Sequence, residues 1–209
     1  MPLYLRDNTP LLSFGVWKIE ETVEELLALL PPDRRNACLE EIGNFASPRR
    51  RKEWLSTRVL LNEMLRDNAG IAYTPEGKPY LADHARHISI SHTKGYAAVA
   101  LSDLVPVGID IEAYGTRVCR VRDRFLRPDE QINPYRGDEV WSLLLHWSAK
   151  EAMFKCMEVP TPDFRKLRVF PFTPLAMGRL RLRAESHSGD TFAGQYIILP
   201  DAVLVYVAG

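Results

Sequence analysis

The stretch Val105-Pro106-Val107-Gly108-Ile109-Asp110-Ile111-Glu112 places two carboxylates where they could do phosphate chemistry. Side chains alternate across a strand, so Val105, Val107, Ile109 and Ile111 share one face and Gly108, Asp110 and Glu112 the other. The two acids then stand roughly 7 Å apart along the strand. Like charges that close repel unless a cation lies between them. Magnesium takes oxygen ligands from one or two carboxylates plus phosphate oxygens, and it suits such a pair. Gly108 is expected to leave that face open beside the acids. By themselves, the same acids also suit a solvated strand face.

A second stretch is Trp147-Ser148-Ala149-Lys150-Glu151-Ala152-Met153-Phe154-Lys155. On a helix Glu151 and Lys155 share a face, with Trp147 one turn before them. This spacing is also the commonest stabilising surface pair on helices. Arginines form a third group. Arg51 and Arg58 lie seven residues apart on one helix face, and the guanidinium fork matches phosphate geometry. Arg34 and Arg35 stand nearby in sequence. Arg117, Arg120, Arg122, Arg124 and Arg127 meet only Asp123 among acids in their span, a stretch able to steer an acidic partner.

The elements that must hold these residues can be read locally. A strand is expected over 11–19, a short helix over 20–30 and another from Pro31-Pro32 to about Ile42. Ser47-Pro48 gives an N-cap with proline at the first helical position, starting a long helix that ends before Gly70. Residues 73–80 read as loop, because Pro75, Gly77 and Pro79 punctuate them. Residues 87–91 alternate, Thr93-Lys94-Gly95 turns the chain, and 96–101 return as a hairpin arm. The arginine-rich stretch after Glu112 reads as irregular. A helix follows over 138–157, then strands over 167–170, 179–184, 192–199 and 202–207, with His187-Ser188-Gly189-Asp190 and Pro200-Asp201 as turns. Each half thus carries one long helix followed by strands. We expect an α+β chain of two pseudo-symmetric lobes, 1–104 and 105–209, each a long helix packed on a small antiparallel sheet, with the active site in the cleft between them.

Composition narrows the partners. Apolar residues make up 46% and charged residues 26% of the chain, with Lys+Arg and Asp+Glu equal at 27 each. Overall charge therefore points to no nucleic acid. No run of eighteen apolar residues exists, so no membrane span is expected. The first residues lack a basic region followed by an apolar one, so no secretory signal is expected. Cys38, Cys119 and Cys156 form neither a disulfide framework nor a zinc pattern, and they suit a reducing cytoplasm.

Taken together, Gly108-Ile109-Asp110-Ile111-Glu112 and, some forty residues on, Trp147 to Lys155 resemble the paired signature of 4′-phosphopantetheinyl transferases. Gly77-Lys78-Pro79, Ile90-Ser91-His92-Thr93 and Trp54-Leu55-Ser56-Thr57-Arg58-Val59-Leu60-Leu61 are similar to further family segments, in the family's order. The length and two-lobe layout look like the monomeric, surfactin-synthetase-activating type. The resemblance implies transfer of the 4′-phosphopantetheine arm of coenzyme A to a serine of an apo acyl, peptidyl or aryl carrier protein. Adenosine 3′,5′-bisphosphate is released, and the holo-carrier serves fatty-acid, polyketide or non-ribosomal peptide synthesis. It implies magnesium held by Asp110, Glu112 and Glu151, with Glu151 also the catalytic base. Lys155 would sit on the pyrophosphate and relieve the leaving group. Lys78, Ser91 and His92 would bind phosphates of coenzyme A with Arg58, and Arg51 extends that set. Arg34 and Arg35 would add contacts on the adenine side. Carrier proteins of this kind are acidic, so the Arg117–Arg127 stretch would dock them, with Tyr114, Phe125 and Leu126 adding apolar contact. Two other readings share the residues: a magnesium-dependent pyrophosphohydrolase, and a non-catalytic coenzyme A-binding module.

Overall fold

The computed structural model of the chain describes residues 3–65, 70–157, 163–185 and 191–209. In chain order its elements are β1 Leu3–Asn8, β2 Ser13–Lys18, α1 Val23–Leu29, α2 Pro32–Gly43, α3 Pro48–Leu65, β3 Ile71–Tyr73, β4 Pro79–Leu81, β5 His87–Thr93, β6 Tyr96–Ser102, β7 Val107–Ala113, α4 Arg117–Phe125, α5 Glu139–Cys156, β8 Leu167–Val169, β9 Met177–Ala184, β10 Thr191–Ile198 and β11 Ala202–Ala208.

Local chemistry starts the helices. Thr22 and Glu25 close a capping box on α1, satisfying two N–H groups that the first turn leaves open. Asp138 caps α5 by accepting from the Val140 N–H at 2.8 Å. The strands form a four-stranded sheet in the order β1-β2-β6-β5 and a five-stranded sheet in the order β7-β11-β10-β9-β8, with β3-β4 as a separate ribbon. All pairings are antiparallel. The chain is therefore of the α+β class.

Alternation decides what each strand face meets. Ala97, Val99 and Leu101 of β6 face α1 and α3, in a cluster with Trp17, Leu26, Leu55 and Leu60. The intervening Ala98 and Ala100 turn the other way, onto Ile109, Ile111, Leu204 and Tyr206 of the five-stranded sheet. Val203, Val205 and Val207 of β11 face α5, around Leu145, Ala149, Ala152 and Met153. The layers run helix, sheet, sheet, helix. Both long helices are buried over most of their circumference, which explains the mixed apolar spacing in their sequences.

A seam of hydroxyls joins the two sheets. Ser89, Ser91 and Thr93 on β5 accept from the N–H groups of Ile109, Ile111 and Ala113 on β7, at 3.0, 3.2 and 3.2 Å. These side chains replace a neighbouring strand for the exposed edge of β7, so its buried donors are not left unpaired.

Several local expectations need correction. β1 is a strand that its polar sequence does not announce. Residues 73–80 are not all loop: β3 and β4 pair across a turn where Thr74 and Lys78 are joined by a backbone bond. The arginine-rich stretch contains a regular helix, α4, which buries Val118 and Phe125 and leaves its arginines outside. Gly108 does not open the acidic face; a Cβ there would lie 1.7 Å from the Ala152 carbonyl oxygen, so α5 fills the space. Only glycine, with no Cβ, permits so close an approach of helix backbone to strand backbone. The turn expected at His187–Asp190 lies outside the described residues. No described helix is long and apolar enough to cross a membrane.

Candidate active site

Because Gly108 lets α5 lie directly on β7, the acids of β7 meet the end of that helix. Asp110 is buried. Its Oδ1 accepts from Ser91 Oγ at 2.9 Å and from Lys155 Nζ at 2.8 Å. Its Oδ2 is buried and has no partner among the described residues. Lys155 also donates to the Ile109 carbonyl at 3.0 Å. Glu112 accepts from the Trp147 indole N–H at 3.1 Å. Trp147 is itself held edge-on by Phe125 and against Phe164, with ring centroids 5.3 and 5.2 Å apart.

Glu151 completes the group electrostatically. Burial, then the neighbouring charges of Asp110 and Glu112, push its carboxyl up to about 7, against an opposing pull from Lys155. Glu112 is raised in the same way, by burial first and by Asp110 second, with the Trp147 bond opposing. Among the described residues, no three of His, Cys, Asp and Glu already converge into a metal cage. The donors nevertheless fit a hard divalent cation. An orphaned buried carboxylate oxygen sits beside two carboxyls that repel each other, and an added positive charge would relieve all three.

A cleft of about 630 Å³ opens beside this group, lined by Arg50, Trp54, Thr57, Gly77, His92 and Lys155 among others. On one side it adjoins a cavity of about 350 Å³ that contains Arg34 and Arg58. On another it meets a groove of about 530 Å³ lined by Lys78, Phe154 and Lys155. The glycine of the 74–78 turn, Gly77, has φ of +86° and borders both the cleft and the groove.

The residues singled out from sequence divide accordingly. Asp110, Glu112, Glu151 and Lys155 come together. Lys78, His92 and Arg58 line the adjoining spaces, Arg58 with its guanidinium 3.1 Å from the Trp54 ring centroid and one N–H donating to the Trp54 carbonyl at 3.1 Å. Ser91 lines the cleft, and its hydroxyl donates to Asp110 and accepts from the Ile111 N–H. Arg51 turns back to the Phe45 carbonyl at 2.7 Å, and the arginine lining the cleft is Arg50. Arg35 is tied to the Leu30 and Ala28 carbonyls, at the end of α1. Phe125 is fully buried and offers no docking surface. Arg127 is held by Asp129 and Glu185, whereas Arg117, Arg120, Arg122 and Arg124 lie on the outer side of α4.

Two charge clusters, one around buried Glu53 and one around buried Lys150, are not apparent from sequence. Glu53 on α3 lies 2.6 Å from Arg49 and 3.4 Å from His92 Nδ1. Burial lowers the His92 pKa, while Glu53 opposes that shift. Lys150 is fully buried, and its ammonium donates to the Phe125 carbonyl at 2.6 Å and to Glu130 at 2.8 Å. The other Glu130 oxygen accepts from the Val169 N–H at 2.7 Å. Lys150 therefore ties α5 to the end of α4 and to β8.

Comparison with known sequences bears on the same segment. A family model described as the 4′-phosphopantetheinyl transferase superfamily matches residues 106–203, which include β7, α4 and α5. Over those residues the chain is similar to that superfamily. It is 27% identical over 192 residues to the L-aminoadipate-semialdehyde dehydrogenase-phosphopantetheinyl transferase of Mus musculus, an alignment covering 79% of this chain. The chain spans 60% of the length of that relative. The superfamily match takes in every carboxylate and lysine of the group at the mouth of the cleft, while Arg50, Arg58, Lys78 and His92 lie before it.

Proposed function

We propose that this chain is a member of that superfamily and transfers the 4′-phosphopantetheine arm of coenzyme A to a serine of an apo carrier protein. The observation that supports it most is the set of buried Asp110 and half-buried Glu112 and Glu151, with Lys155 on Asp110 and on the wall of a basic cleft. Asp110, Glu112 and Glu151 would hold magnesium, which when bound neutralises pyrophosphate charge and orients its oxygens.

The chain's own groups supply the rest. Arg50, Arg58, Lys78 and His92 bind the 3′-phosphate and pyrophosphate by charge-assisted contacts. Glu151 takes the proton of the carrier serine. The serine oxygen forms a bond to the β-phosphorus as the bond to the bridging oxygen breaks. Lys155 neutralises the adenosine 3′,5′-bisphosphate that leaves. Trp147 holds the Glu112 carboxylate in place through its indole N–H, and Ser91 does the same for Asp110 through its hydroxyl.

We infer further that the chain works as two lobes, 1–104 and 105–209, acting as a monomer of the surfactin-synthetase-activating type in the cytoplasm. Arg117, Arg120, Arg122 and Arg124 on α4 receive an acidic carrier. The acceptors belong to fatty-acid, polyketide or non-ribosomal peptide synthesis. Incubating the chain with coenzyme A, magnesium and a panel of apo carriers tests this by mass spectrometry. A carrier heavier by one phosphopantetheine arm, with adenosine 3′,5′-bisphosphate released in equal amount, supports it. Hydrolysis of coenzyme A with no acceptor modified refutes it.

A further inference from the structure

The face of the five-stranded sheet that packs on the four-stranded sheet through β7 and β11 is exposed at β9, and there it carries charge that the candidate active site does not use. On β9, Leu180, Leu182 and Ala184 are buried toward α5, and Arg179, Arg181 and Arg183 alternate with them on the exposed side. Across to β10 they face Gln195, Ala193 and Thr191, none of them acidic. Across to β8, Arg183 lies opposite Arg168. Like charges directly opposite on a sheet are destabilising. Other arginines nearby are neutralised: Arg127 by Asp129 and Glu185, and Arg168 by Asp129 at 3.4 Å. Arg179 and Arg183 reach no acid among the described residues. Phe170 braces the row, with Arg181 4.1 Å and Arg168 5.0 Å from its ring centroid. In a chain whose acidic and basic residues balance at 27 each, this is an unneutralised local excess.

We propose that this face docks an acidic helix of a protein partner, its carboxylates at every fourth residue pairing with Arg179, Arg181 and Arg183. Alternate residues of a strand are spaced roughly 6.6 Å apart, and residues four apart on a helix rise about 6 Å. Three successive carboxylates on such a helix therefore keep step with three arginines, within the reach of the guanidinium fork. A single nucleic-acid strand fits less well, because it needs an open aromatic face for its bases. The aromatic here, Phe170, is occupied by two guanidinium groups. Asp110 and Glu112 point to the opposite face of the sheet, so this docking is separate from the chemistry.

Fluorescence anisotropy at low ionic strength tests the proposal with a labelled synthetic helical peptide carrying glutamate at every fourth residue. A peptide of the same composition with shuffled order and a labelled oligothymidylate serve as comparisons. The regularly spaced peptide should bind best, and added salt should weaken it. The triple variant R179A/R181A/R183A should lose about tenfold or more, because three exposed pairs are removed together. The triple lysine variant R179K/R181K/R183K keeps the charge and should retain most of the binding. Both variants leave Leu180, Leu182 and Ala184 in place, and an unchanged melting temperature confirms their fold. Equal binding by the alanine variant and the parent overturns the proposal. So does equal binding of the shuffled peptide, or preference for oligothymidylate.

Discussion

Lys150 and Glu151 are neighbours on α5, yet their electrostatic surroundings are opposite. Lys150 is fully buried, and Glu130 and the Phe125 carbonyl meet its charge. Glu151 is largely buried beside Asp110 and Glu112, whose charges add to its own, and the offset from Lys155 is insufficient, so its pKa rises to about 7. The first surroundings build architecture: a charge met on the spot ties three elements together. The second stores unrelieved repulsion, which a protein keeps where an outside cation or proton will relieve it.

That contrast can be broken from either side. Glu151→Gln should lower the rate of transfer on the order of 10²–10⁴-fold, the range for losing a general base, while the protein remains folded. Single-turnover kinetics with circular dichroism on the same sample checks both parts. Lys150→Met should act mainly on stability. Removing one partner of a buried pair costs about 3–5 kcal/mol, and a urea unfolding curve measures it. The double variant K150M/E130Q should recover part of that loss, because the amide oxygen still accepts from the Val169 N–H. Ser91→Ala strips one bond from Asp110 and one from the Ile111 N–H, so about 1–3 kcal/mol of stability should go. If Ser91 bound phosphate instead, the change would appear in KM for coenzyme A with stability intact. The smallest effect separates adjacent arginines. Arg50→Ala should raise KM for coenzyme A about tenfold, the worth of one charge-assisted contact. Arg51→Ala should leave KM unchanged and lower stability by roughly 1 kcal/mol, since its bond goes to the Phe45 carbonyl.

How much of this is legible in sequence follows from how local each cause is. Ser47-Pro48 and Asp138 act on their own first turns, so the starts of α3 and α5 can be read directly. Alternation over 87–91 and 105–112 places β5 and β7 and puts Asp110 and Glu112 on one face. β1 and the β3–β4 ribbon depend on pairing with partners, and their own residues alternate poorly. In α4 a helical signal does exist: Val118, Val121 and Phe125 recur at three and four residues, but dense arginines mask it. The seam of Ser89, Ser91 and Thr93 is visible as alternation, while its destination, the edge of β7, is a tertiary fact. The burial of Lys150 depends on Glu130, twenty residues away. Arg51 and Arg50 differ by roughly 100° of helix phase, and only the position of the loop carbonyl at Phe45 decides which one turns toward the cleft.

The central claim is that three carboxylates, with Lys155 as their partial offset, are kept close in order to gather a cation, and thermal unfolding against pH with and without magnesium tests it most directly. Glu151 titrates at about 7 in the fold against an ordinary value of 4.5, so between those values the folded chain binds more protons than the unfolded one. Stability without magnesium should therefore fall as pH rises from about 5 to 7. Magnesium should restore it, with a melting-temperature increase that grows across the same window and disappears in Asp110→Asn. A metal-free profile flat with pH, or a magnesium effect that is the same in Asp110→Asn, would contradict the account.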